Sequence, residues 1–291
     1  MGPLGTIMQT RPISQKPAPA RLADLRAVTM AQGEFEQFRT WIHEVAGINL
    51  SEMKLALVAT RLAPRLRHHR FQSYAEYFQL LTSGFQPAEP QIAIDLLTTN
   101  ETQFFREPKH FDFLADRILP RHPAGRMLRV WSAACSSGEE PYSIAMTFAA
   151  RLGEAPWEVF ASDLSRRVLE RAQAGHYPMA RARSIPKALL PKYCLKGVGT
   201  QDGTFLVAPK LRARVHFAQI NLNQPFPQVG EFDVIFIRNV MIYFDMETKR
   251  EVVARLVRQL KRGGYLFVGH SESLHGVTED IDMVVPSIYQ K

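Results

Sequence analysis

The sequence predicts an α/β fold with a mostly parallel sheet, an N-terminal helical domain and a small inserted antiparallel β-subdomain. After Pro108, short apolar segments alternate with helical segments, which is the pattern of a parallel sheet covered on both faces. Over residues 24–97, apolar residues recur at three-four spacing without a strand pattern. Over residues 176–213 the alternation stops, and short apolar pieces between turn residues indicate the antiparallel insertion.

These patterns divide the 291 residues into segments. Residues 1–20 are rich in Pro, Gln, Gly and Ser and are predicted to be a disordered leader. Residues 21–106 are predicted to form the helical domain and a linker. Residues 107–291 are predicted to form the α/β domain, with the β-subdomain over residues 176–213 inside it.

Four helices are expected in the helical domain. The first ends at Gly47 and the second begins at Ser51. The third ends at Gly84, and apolar residues over 92–97 mark the fourth. Pro64 lies inside the second helix and is expected to kink or end it, because proline has no amide hydrogen to donate.

The α/β domain is expected to contain six main strands and four helices. The strands are predicted at 128–132, 157–162, 214–219, 232–238, 264–269 and 284–290. The helices are predicted at 109–119, 139–152, 164–174 and 247–262. Ligands bind beyond the carboxyl ends of the strands in such sheets, so residues that follow the strands are candidates for a site.

Composition narrows the class of protein. The net charge of +8 favours an acidic partner, which could be a nucleic acid, a membrane surface or an acidic protein. Cys135 and Cys194 are too few for a disulfide scaffold and suit a reducing compartment. With no membrane-span pattern and no signal-peptide core, the expected location is the cytoplasm, without membrane insertion.

The strongest chemical signal lies in residues 128–163. A strand is followed by small residues, then by a helix that opens with Glu139 and Glu140, then by a strand that ends at Asp163. Small residues let a ligand approach the backbone, and an acid after the second strand accepts hydrogen bonds from ribose hydroxyls. Only Gly138 stands where a dinucleotide fingerprint has three glycines, and the two glutamates would repel a pyrophosphate. The pattern favours a cofactor with ribose but no phosphate, such as S-adenosylmethionine.

Each of these acids also has a purely structural interpretation. Glu139 and Glu140 would favour the dipole of their helix, although Glu140 could instead reach the amino group of the cofactor. Asp163 could cap a helix that starts near Leu164. Cys135 is expected to pack among small residues, because no base lies near it in sequence.

Two further clusters are candidates for the site. Residues 98–106 are polar and end in Arg106, which could hold a carboxylate; the alternative is a capped helix end with an aromatic pair in the core. Asn239 follows a buried strand, and Tyr243 lies just beyond it. Alternatively, Asn239 makes a turn and Tyr243 packs against a helix. His270 follows a later strand and is given a structural role.

The second helix carries a basic face. Lys54, Arg61, Arg65 and His68 fall close to one side of it, and the sequence from Met53 to Arg70 contains no acid. Such a face is usually just solvated. The absence of a compensating acid favours docking of an acidic partner.

Taken in order, the clusters resemble the motifs of the CheR family of chemotaxis receptor methyltransferases over about residues 30 to 290. The matching motifs are Thr-Thr-Asn-x-Thr-x-Phe-Phe-Arg, Ser-Ala-Ala-x-Ser-x-Gly-Glu-Glu-Pro-Tyr-Ser, Ala-Ser-Asp, Arg-Asn-Val-Met-Ile-Tyr-Phe and Gly-His-Ser-Glu. The resemblance implies a class I methyltransferase-like fold. It also implies methyl transfer from S-adenosylmethionine to glutamate side chains of chemoreceptors, giving methyl esters and S-adenosylhomocysteine without a metal.

The resemblance also implies residues that bind the cofactor and partners. The cofactor contacts would be Asn100, Thr102, Arg106, Glu140, Asp163, Asn221, Leu222, Asn239 and Val240. Cytoplasmic receptor helices would dock on the segment with Lys54, Arg61 and Arg65. The loop with Gly197, Gly199 and Gly203 is similar to one that binds a receptor's C-terminal pentapeptide in some members, with one residue inserted.

The chemistry implied needs little acid–base help, because a glutamate is already ionised near neutral pH and is itself the nucleophile. What remains is placement of the reactants. Our hypothesis is that Arg106 and Tyr243 are the catalytic residues and orient the incoming carboxylate and the cofactor.

Three other functions compete with this one. A nucleic-acid methyltransferase would suit the basic composition, but the basic residues lack interleaved aromatics for base stacking, so no nucleic-acid partner is expected. A non-catalytic docking platform would not need the polar set of site residues. A nicotinamide dehydrogenase is disfavoured by the missing glycines.

Overall fold

The computed structural model of the protein describes residues 28–291. The predicted disordered leader, residues 1–20, therefore lies outside the described residues. The rest comprises a helical domain, an α/β domain and a small β-subdomain, as the sequence predicts.

Four helices build the helical domain, and their order agrees with the sequence prediction. They are α1 (Gln32–Ala46), α2 (Leu55–His69), α3 (Tyr74–Ser83) and α4 (Glu89–Leu97), with a short 3₁₀ turn over Glu52–Lys54 before α2. Gly47, at φ 69°, ends α1. Phe38 lies at the centre of the core, where its ring packs against those of Tyr74, Tyr77 and Phe78. These ring contacts join α1 to α3.

Pro64 is expected to kink or end α2, but it does not end the helix, which continues to His69. Proline inside a helix costs about 3 kcal/mol. Val58, Leu62 and Leu66 are buried on both sides of the proline, whereas Pro64 itself is exposed. Burial of each such side chain contributes about 1.5–3 kcal/mol, so packing outweighs the lost hydrogen bond.

The α/β domain is built on a seven-stranded sheet of order β6-β2-β1-β7-β8-β10-β9. These strands are β1 (Leu128–Ser132), β2 (Trp157–Asp163), β6 (Val215–Gln219), β7 (Phe232–Ile237), β8 (Leu260–Val268), β9 (Asp282–Val285) and β10 (Ile288–Gln290). The first five pair in parallel, and β10 pairs antiparallel with β8 and β9. Their carboxyl ends therefore meet at one edge, where the sequence predicts a site.

The remaining helices flank the sheet or connect its parts. They are α5 (Pro108–Phe113), α6 (Glu139–Leu152), α7 (Arg166–Ala174), α8 (Leu190–Tyr193), α9 (Pro209–Arg212) and α10 (Met246–Arg258). The α-helix predicted at 109–119 changes to a π-helical turn over Leu114–Ile118.

Two boundaries near the C-terminus were predicted wrongly. The helix predicted at 247–262 ends at Arg258, because β8 begins already at Leu260 and turns at Gly263, which has φ 76°. The strand predicted at 284–290 is a hairpin of two strands. Ser287, at φ 67°, makes the turn between them, and an apolar pattern cannot show such a reversal.

The insertion forms a separate antiparallel sheet of order β3-β5-β4, as predicted. Its strands are β3 (His176–Pro178), β4 (Cys194–Lys196) and β5 (Thr204–Val207). Tyr177 and Phe205 pack against the buried ring of Phe104, at 5.0 and 5.7 Å between ring centroids. The β-subdomain is thus anchored to the segment that joins the two domains.

The helical domain covers the carboxyl edge of the sheet. Asn49 N donates to the carbonyl of Tyr243 at 2.8 Å, and Asn221 Nδ2 donates to the carbonyl of Val45 at 2.6 Å. Gln91 Nε2 donates to the carbonyl of Leu164 at 3.1 Å. These bonds close a hollow between the two domains. Across residues 28–291, helices that combine the length and apolarity needed to cross a membrane are absent.

Candidate active site

A cavity of about 450 Å³ lies between the helical domain and the carboxyl edge of the sheet. All the residues predicted to bind the cofactor or to act in catalysis line it: Asn100, Thr102, Arg106, Glu140, Asp163, Asn221, Leu222, Asn239, Val240 and Tyr243. Lys54 and Arg61 of the basic face also line it. The fold thus brings together residues from six separate parts of the chain, while their individual roles stay predictions.

Asp163 ends β2 and holds the turn that follows β1. Its Oδ2 accepts from the backbone N of Ser136 at 2.8 Å, and its Oδ1 accepts from the N of Ser165 at 2.9 Å. Burial raises the pKa of Asp163, and these backbone donors partly oppose the rise. Helix α7 begins at Arg166 with Ser165 as its N-cap, so the interpretation of Asp163 as a helix cap is wrong. Each carboxylate oxygen keeps a lone pair that could accept a hydroxyl.

The small residues after β1 serve two purposes. Ala133, Ala134 and Ser136 line the cavity, as expected for close approach of a ligand. Gly138 is required for another reason, because a Cβ on it would lie 2.8 Å from the hydroxyl of Tyr177. Cys135 is fully buried, and burial raises the pKa of its thiol, which supports a packing role.

The two neighbouring glutamates of α6 point in different directions. Glu140 lines the cavity and accepts from Ser132 Oγ at 2.7 Å and from Arg238 Nη1 at 3.0 Å. Glu139 is buried away from it and accepts from Ser137 Oγ at 2.7 Å. Burial raises the pKa of both carboxyls, and Arg238 opposes this at Glu140. Of this pair, Glu140 is the one that could meet a cationic ligand.

Arg238, at the end of β7, is a site residue that the sequence reasoning missed. Its side chain is 1% exposed and lies between two carboxylates. Nη2 is 2.9 Å from Glu107 Oε2 and donates to the carbonyl of Arg106 at 2.5 Å, while Nη1 contacts Glu140. A signal was present, because an arginine directly after the apolar run Val234–Ile237 stands at the edge where ligands bind.

Glu272 was also missed, and it explains the Gly-His-Ser-Glu motif. Its Oε2 accepts from the backbone N of Asn239 and from that of Gly269, both at 2.7 Å. Asn239 is held at φ 58°, a conformation that costs a residue with a side chain some free energy. Gly269 must be glycine, because a Cβ would lie 2.5 Å from Asn239 Nδ2. The motif therefore fixes Asn239 at the cavity.

The segment at the seam between the domains is held in an unusual conformation. Phe105 and Glu107, on either side of Arg106, have φ of 50° and 58°. Phe104 is fully buried and Phe105 packs at 5.0 Å from Phe111, so the predicted aromatic pair does lie in the core. Arg106 still lines the cavity, and its Nη1 donates to the carbonyl of Glu101 at 3.3 Å. Both interpretations of this segment are therefore compatible.

The basic face of α2 is less free than the sequence suggests. Arg65 donates from Nε and Nη2 to the carboxylate of Glu89 at 2.6 and 2.7 Å, and Tyr77 donates to the same group at 2.9 Å. The prediction that no acid compensates this face is wrong, because Glu89 comes from α4. Burial raises the pKa of Glu89, but these donors outweigh burial and hold it below its ordinary value. Arg61 donates to the carbonyl of Leu97 at 2.7 Å.

Lys54 and His68 of the predicted face stay exposed, as do Arg67 and Arg70. Burial lowers the pKa of Arg61, which lines the cavity. Of the three residues predicted to dock a partner, Lys54 is exposed and Arg61 lines the cavity, whereas Arg65 is paired with Glu89.

Glu107, His110 and His270 lie close enough to one another to resemble a metal site. Glu107 is already paired with the guanidinium of Arg238, which would repel a divalent cation. Burial, with Arg238 beside it, lowers the pKa of His110 to about 3, so its ring is neutral; its Nε2 lies 2.7 Å from Ser287 Oγ. We assign no metal to this cluster. His270 is half exposed, and its backbone N donates to Glu107 Oε1 at 3.3 Å.

The glycine loop of the β-subdomain connects β4 to β5. A Cβ on Gly197 would lie 1.9 Å from the carbonyl of Gln201, and Gly199 and Gly203 have φ of 59° and 79°. The loop therefore needs its glycines for its own compact shape. Strand β4 is at the edge of its sheet, and Leu195 is exposed on it.

Comparison with known proteins identifies the family. Residues 33–98 match the family description CheR methyltransferase, all-alpha domain, and residues 100–289 match CheR methyltransferase, SAM binding domain. The chain is 43% identical over 262 residues to chemotaxis protein methyltransferase 2 of Pseudomonas aeruginosa, covering 88% of this chain and 92% of that protein.

Two enterobacterial proteins are similar over most of their length. The chain is 43% identical over 249 residues to the chemotaxis protein methyltransferase of Escherichia coli (strain K12), covering 84% of this chain and 86% of that protein. It is 39% identical over 265 residues to the one of Salmonella typhimurium, covering 90% and 91%. The chain therefore belongs to the CheR methyltransferase family and is an S-adenosylmethionine-dependent methyltransferase.

Proposed function

We propose that the protein transfers the methyl group of S-adenosylmethionine to glutamate side chains of chemoreceptors, giving methyl esters and S-adenosylhomocysteine, as the adaptation step of chemotaxis. The observation that carries this proposal is the single cavity lined by all the predicted site residues. Its volume of about 450 Å³ falls within the usual range for a ligand pocket. The names of its relatives, chemotaxis protein methyltransferases, support the receptor as substrate.

The cavity offers a partner for each polar end of the cofactor. Asp163 has free lone pairs for the ribose hydroxyls, and Glu140 has a carboxylate for the ammonium group. Asn221 follows β6 and Asn239 follows β7, and both line the cavity. With Asn100 and the other lining residues they would complete the contacts with the cofactor. When bound, the cofactor supplies an electrophilic methyl group on a sulfonium.

The transfer forms a bond between a glutamate oxygen and the methyl carbon as the carbon–sulfur bond breaks, and its electrons pass to sulfur. No proton moves, because the attacking carboxylate is ionised near neutral pH. The protein's task is therefore orientation and exclusion of water. Arg106 and Tyr243 both line the cavity, where they could orient the incoming carboxylate. Arg106 must do so loosely, since a tight ion pair would weaken the nucleophile.

The receptor would approach by way of the basic residues at the cavity. Lys54 is exposed and Arg61 lines the wall, and both could meet acidic residues of a receptor's cytoplasmic helix. Arg65 would support this surface only indirectly, through Glu89. A receptor C-terminal pentapeptide could add to the free edge of β4 beside Gly197, Gly199 and Gly203, since extended peptides bind exposed strand edges. Because these receptor segments are cytoplasmic, we propose that the protein acts in the cytoplasm.

A methyl-transfer assay tests the proposal. The protein is incubated with methyl-labelled S-adenosylmethionine and a receptor cytoplasmic fragment, and the label on the fragment is then exposed to mild alkali. We expect label that alkali releases, because methyl esters hydrolyse readily. A fragment whose acceptor glutamates are replaced by alanine is the control. Label that resists alkali, or that appears equally on the control fragment, would contradict glutamate as the acceptor.

A further inference from the structure

Arg238 is the best-buried cation of the cavity, and the mechanism described above gives it no task. Its guanidinium joins three parts of the site: Glu107 beside α5, Glu140 on α6 and the backbone carbonyl of Arg106. Its side chain is 1% exposed although it lines the cavity. An arginine buried to this extent must be paired with carboxylates, since an unpaired buried charge is strongly destabilising.

The charges of this cluster do not cancel. Glu107 and Glu140 contribute two negative charges, and Arg238 contributes one positive charge. His110 contacts the cluster but is neutral near pH 7, and His270 lies at its exposed edge, 3.8 Å from Glu107. The buried part of the cluster therefore has one surplus negative charge. A cationic group in the cavity would balance it, and the ammonium group of the cofactor is such a group.

We propose that Arg238 is a positioning residue for the cofactor: it fixes the Glu140 carboxylate and the Arg106 backbone at the cavity wall and keeps Glu140 charged for the cofactor's ammonium group. The proposal rests on the assignment of Glu140 to that group. Besides Arg238, Glu140 accepts only from Ser132 Oγ among the described residues.

The neighbours of Glu140 show why the charge of Arg238 matters. Burial raises the pKa of Glu140, and the negative charge of Glu107 raises it further. Cys135 also lies near, but burial keeps its thiol protonated. Arg238 is the group that opposes these effects, through its charge and its hydrogen bond. Without it, Glu140 would become a neutral acid at a higher pH, and a neutral acid attracts an ammonium group weakly.

The test is the pH dependence of cofactor affinity. The dissociation constant of S-adenosylhomocysteine is measured by calorimetry for the wild type, for the neutral variants Arg238→Met and Arg238→Gln, and for Arg238→Lys. For the neutral variants we expect affinity to weaken as pH falls from about 8 to about 6, approaching about tenfold per pH unit below the raised pKa of Glu140. The wild type and Arg238→Lys should show little change over that range.

The double variant Arg238→Met with Glu140→Gln is the control, because it has no carboxyl at position 140 to titrate. Its affinity should be weak and should not depend on pH. If the single neutral variants bind equally weakly at every pH, or if none of them folds, Arg238 is only a structural ion-pair partner and the proposal is wrong. If Glu140→Gln alone leaves affinity unchanged, the assignment of Glu140 itself fails, which is a separate outcome.

Discussion

Two buried arginine–carboxylate clusters in this protein use the same chemistry for different ends. In the helical domain, Arg65 makes two hydrogen bonds to Glu89 and Tyr77 makes a third, while His69 Nε2 lies 3.4 Å from the same carboxylate. At the cavity, Arg238 is shared between Glu107 and Glu140. The first cluster has one arginine for its one carboxylate, and none of its side chains lines the cavity.

The second cluster has one more carboxylate than it has arginines, and it opens on a cavity. The difference teaches that a buried ion pair indicates function when its charges are left unbalanced next to a space that a ligand can enter. A balanced, enclosed pair indicates stability. The following predictions separate the two cases, beginning with the largest effect.

Replacement of Arg65 by alanine should have the largest effect, and on stability alone. Glu89 is 2% exposed, so the variant would leave a buried carboxylate without its cation, at a cost of about 3–5 kcal/mol in the free energy of unfolding. Urea unfolding measures this cost. The variant Arg67→Ala, on the exposed side of the same helix, should change stability by less than about 0.5 kcal/mol. If Arg65→Ala instead weakens cofactor binding and leaves the free energy of unfolding unchanged, the assignment of this cluster to stability is wrong.

Replacement of Asp163 by alanine should weaken binding of S-adenosylhomocysteine by about tenfold to a hundredfold, since hydrogen bonds to a charged group contribute about 1.5–3 kcal/mol. The structure adds a cost in stability that the sequence did not suggest, because the backbone amides of Ser136 and Ser165 would lose their acceptor.

Asp163→Asn separates these two effects of Asp163. One carbonyl oxygen remains for a backbone amide, so stability should recover more than affinity does. Calorimetry and urea unfolding on both variants give the comparison. If both variants bind S-adenosylhomocysteine with wild-type affinity, Asp163 does not bind the cofactor.

The two clusters should respond to pH with opposite signs. The pKa of Glu89 is lowered in the folded state, so its contribution to stability is present above the unfolded pKa and is lost as pH falls through the folded one. The pKa of Glu140 is raised, so its contribution is present below the unfolded pKa and is lost as pH rises through the folded one.

Unfolding free energies of the wild type, Glu89→Gln and Glu140→Gln across acidic to neutral pH test this pair of signs. The difference between the wild type and Glu89→Gln should shrink on acidification. The wild type should gain stability relative to Glu140→Gln over the same change. Slopes of the same sign for both pairs would show that the clusters do not differ in the way described.

The smallest effect is expected on the surface that meets the receptor. Lys54→Glu should raise KM for a receptor fragment by about fivefold or less and should reduce its dependence on salt, because exposed charges act mainly on association. Steady-state kinetics at two ionic strengths measure both changes. Arg67→Glu is the matched control, since Arg67 is exposed on the same segment but does not line the cavity. Equal effects of Lys54→Glu and Arg67→Glu on KM would show that receptor binding responds to net charge and not to a docking site at Lys54.

The order of strands and helices could be predicted, because apolar periodicity is local. The strand–turn–helix–strand unit from Leu128 to Asp163 could be predicted for the same reason. Residues that match motifs after strand ends could also be predicted, since parallel strands bring those ends together. The partners of charged residues could not. Glu89 compensates Arg65 from another helix, and Glu272, in the segment after β8, holds the backbone of Asn239 after β7. Such pairings depend on tertiary packing, which no local pattern records.

Glu139 and Glu140 offer the most direct test of the central claim, that this cavity binds the cofactor through specific side chains. The two are adjacent in sequence. Glu139 is buried away from the cavity, whereas Glu140 is partly buried and lines it. Calorimetry with S-adenosylhomocysteine should show that Glu140→Gln weakens binding by about tenfold or more, whereas Glu139→Gln leaves it within about twofold of the wild type. Equal losses in both variants, or none in either, would contradict the account.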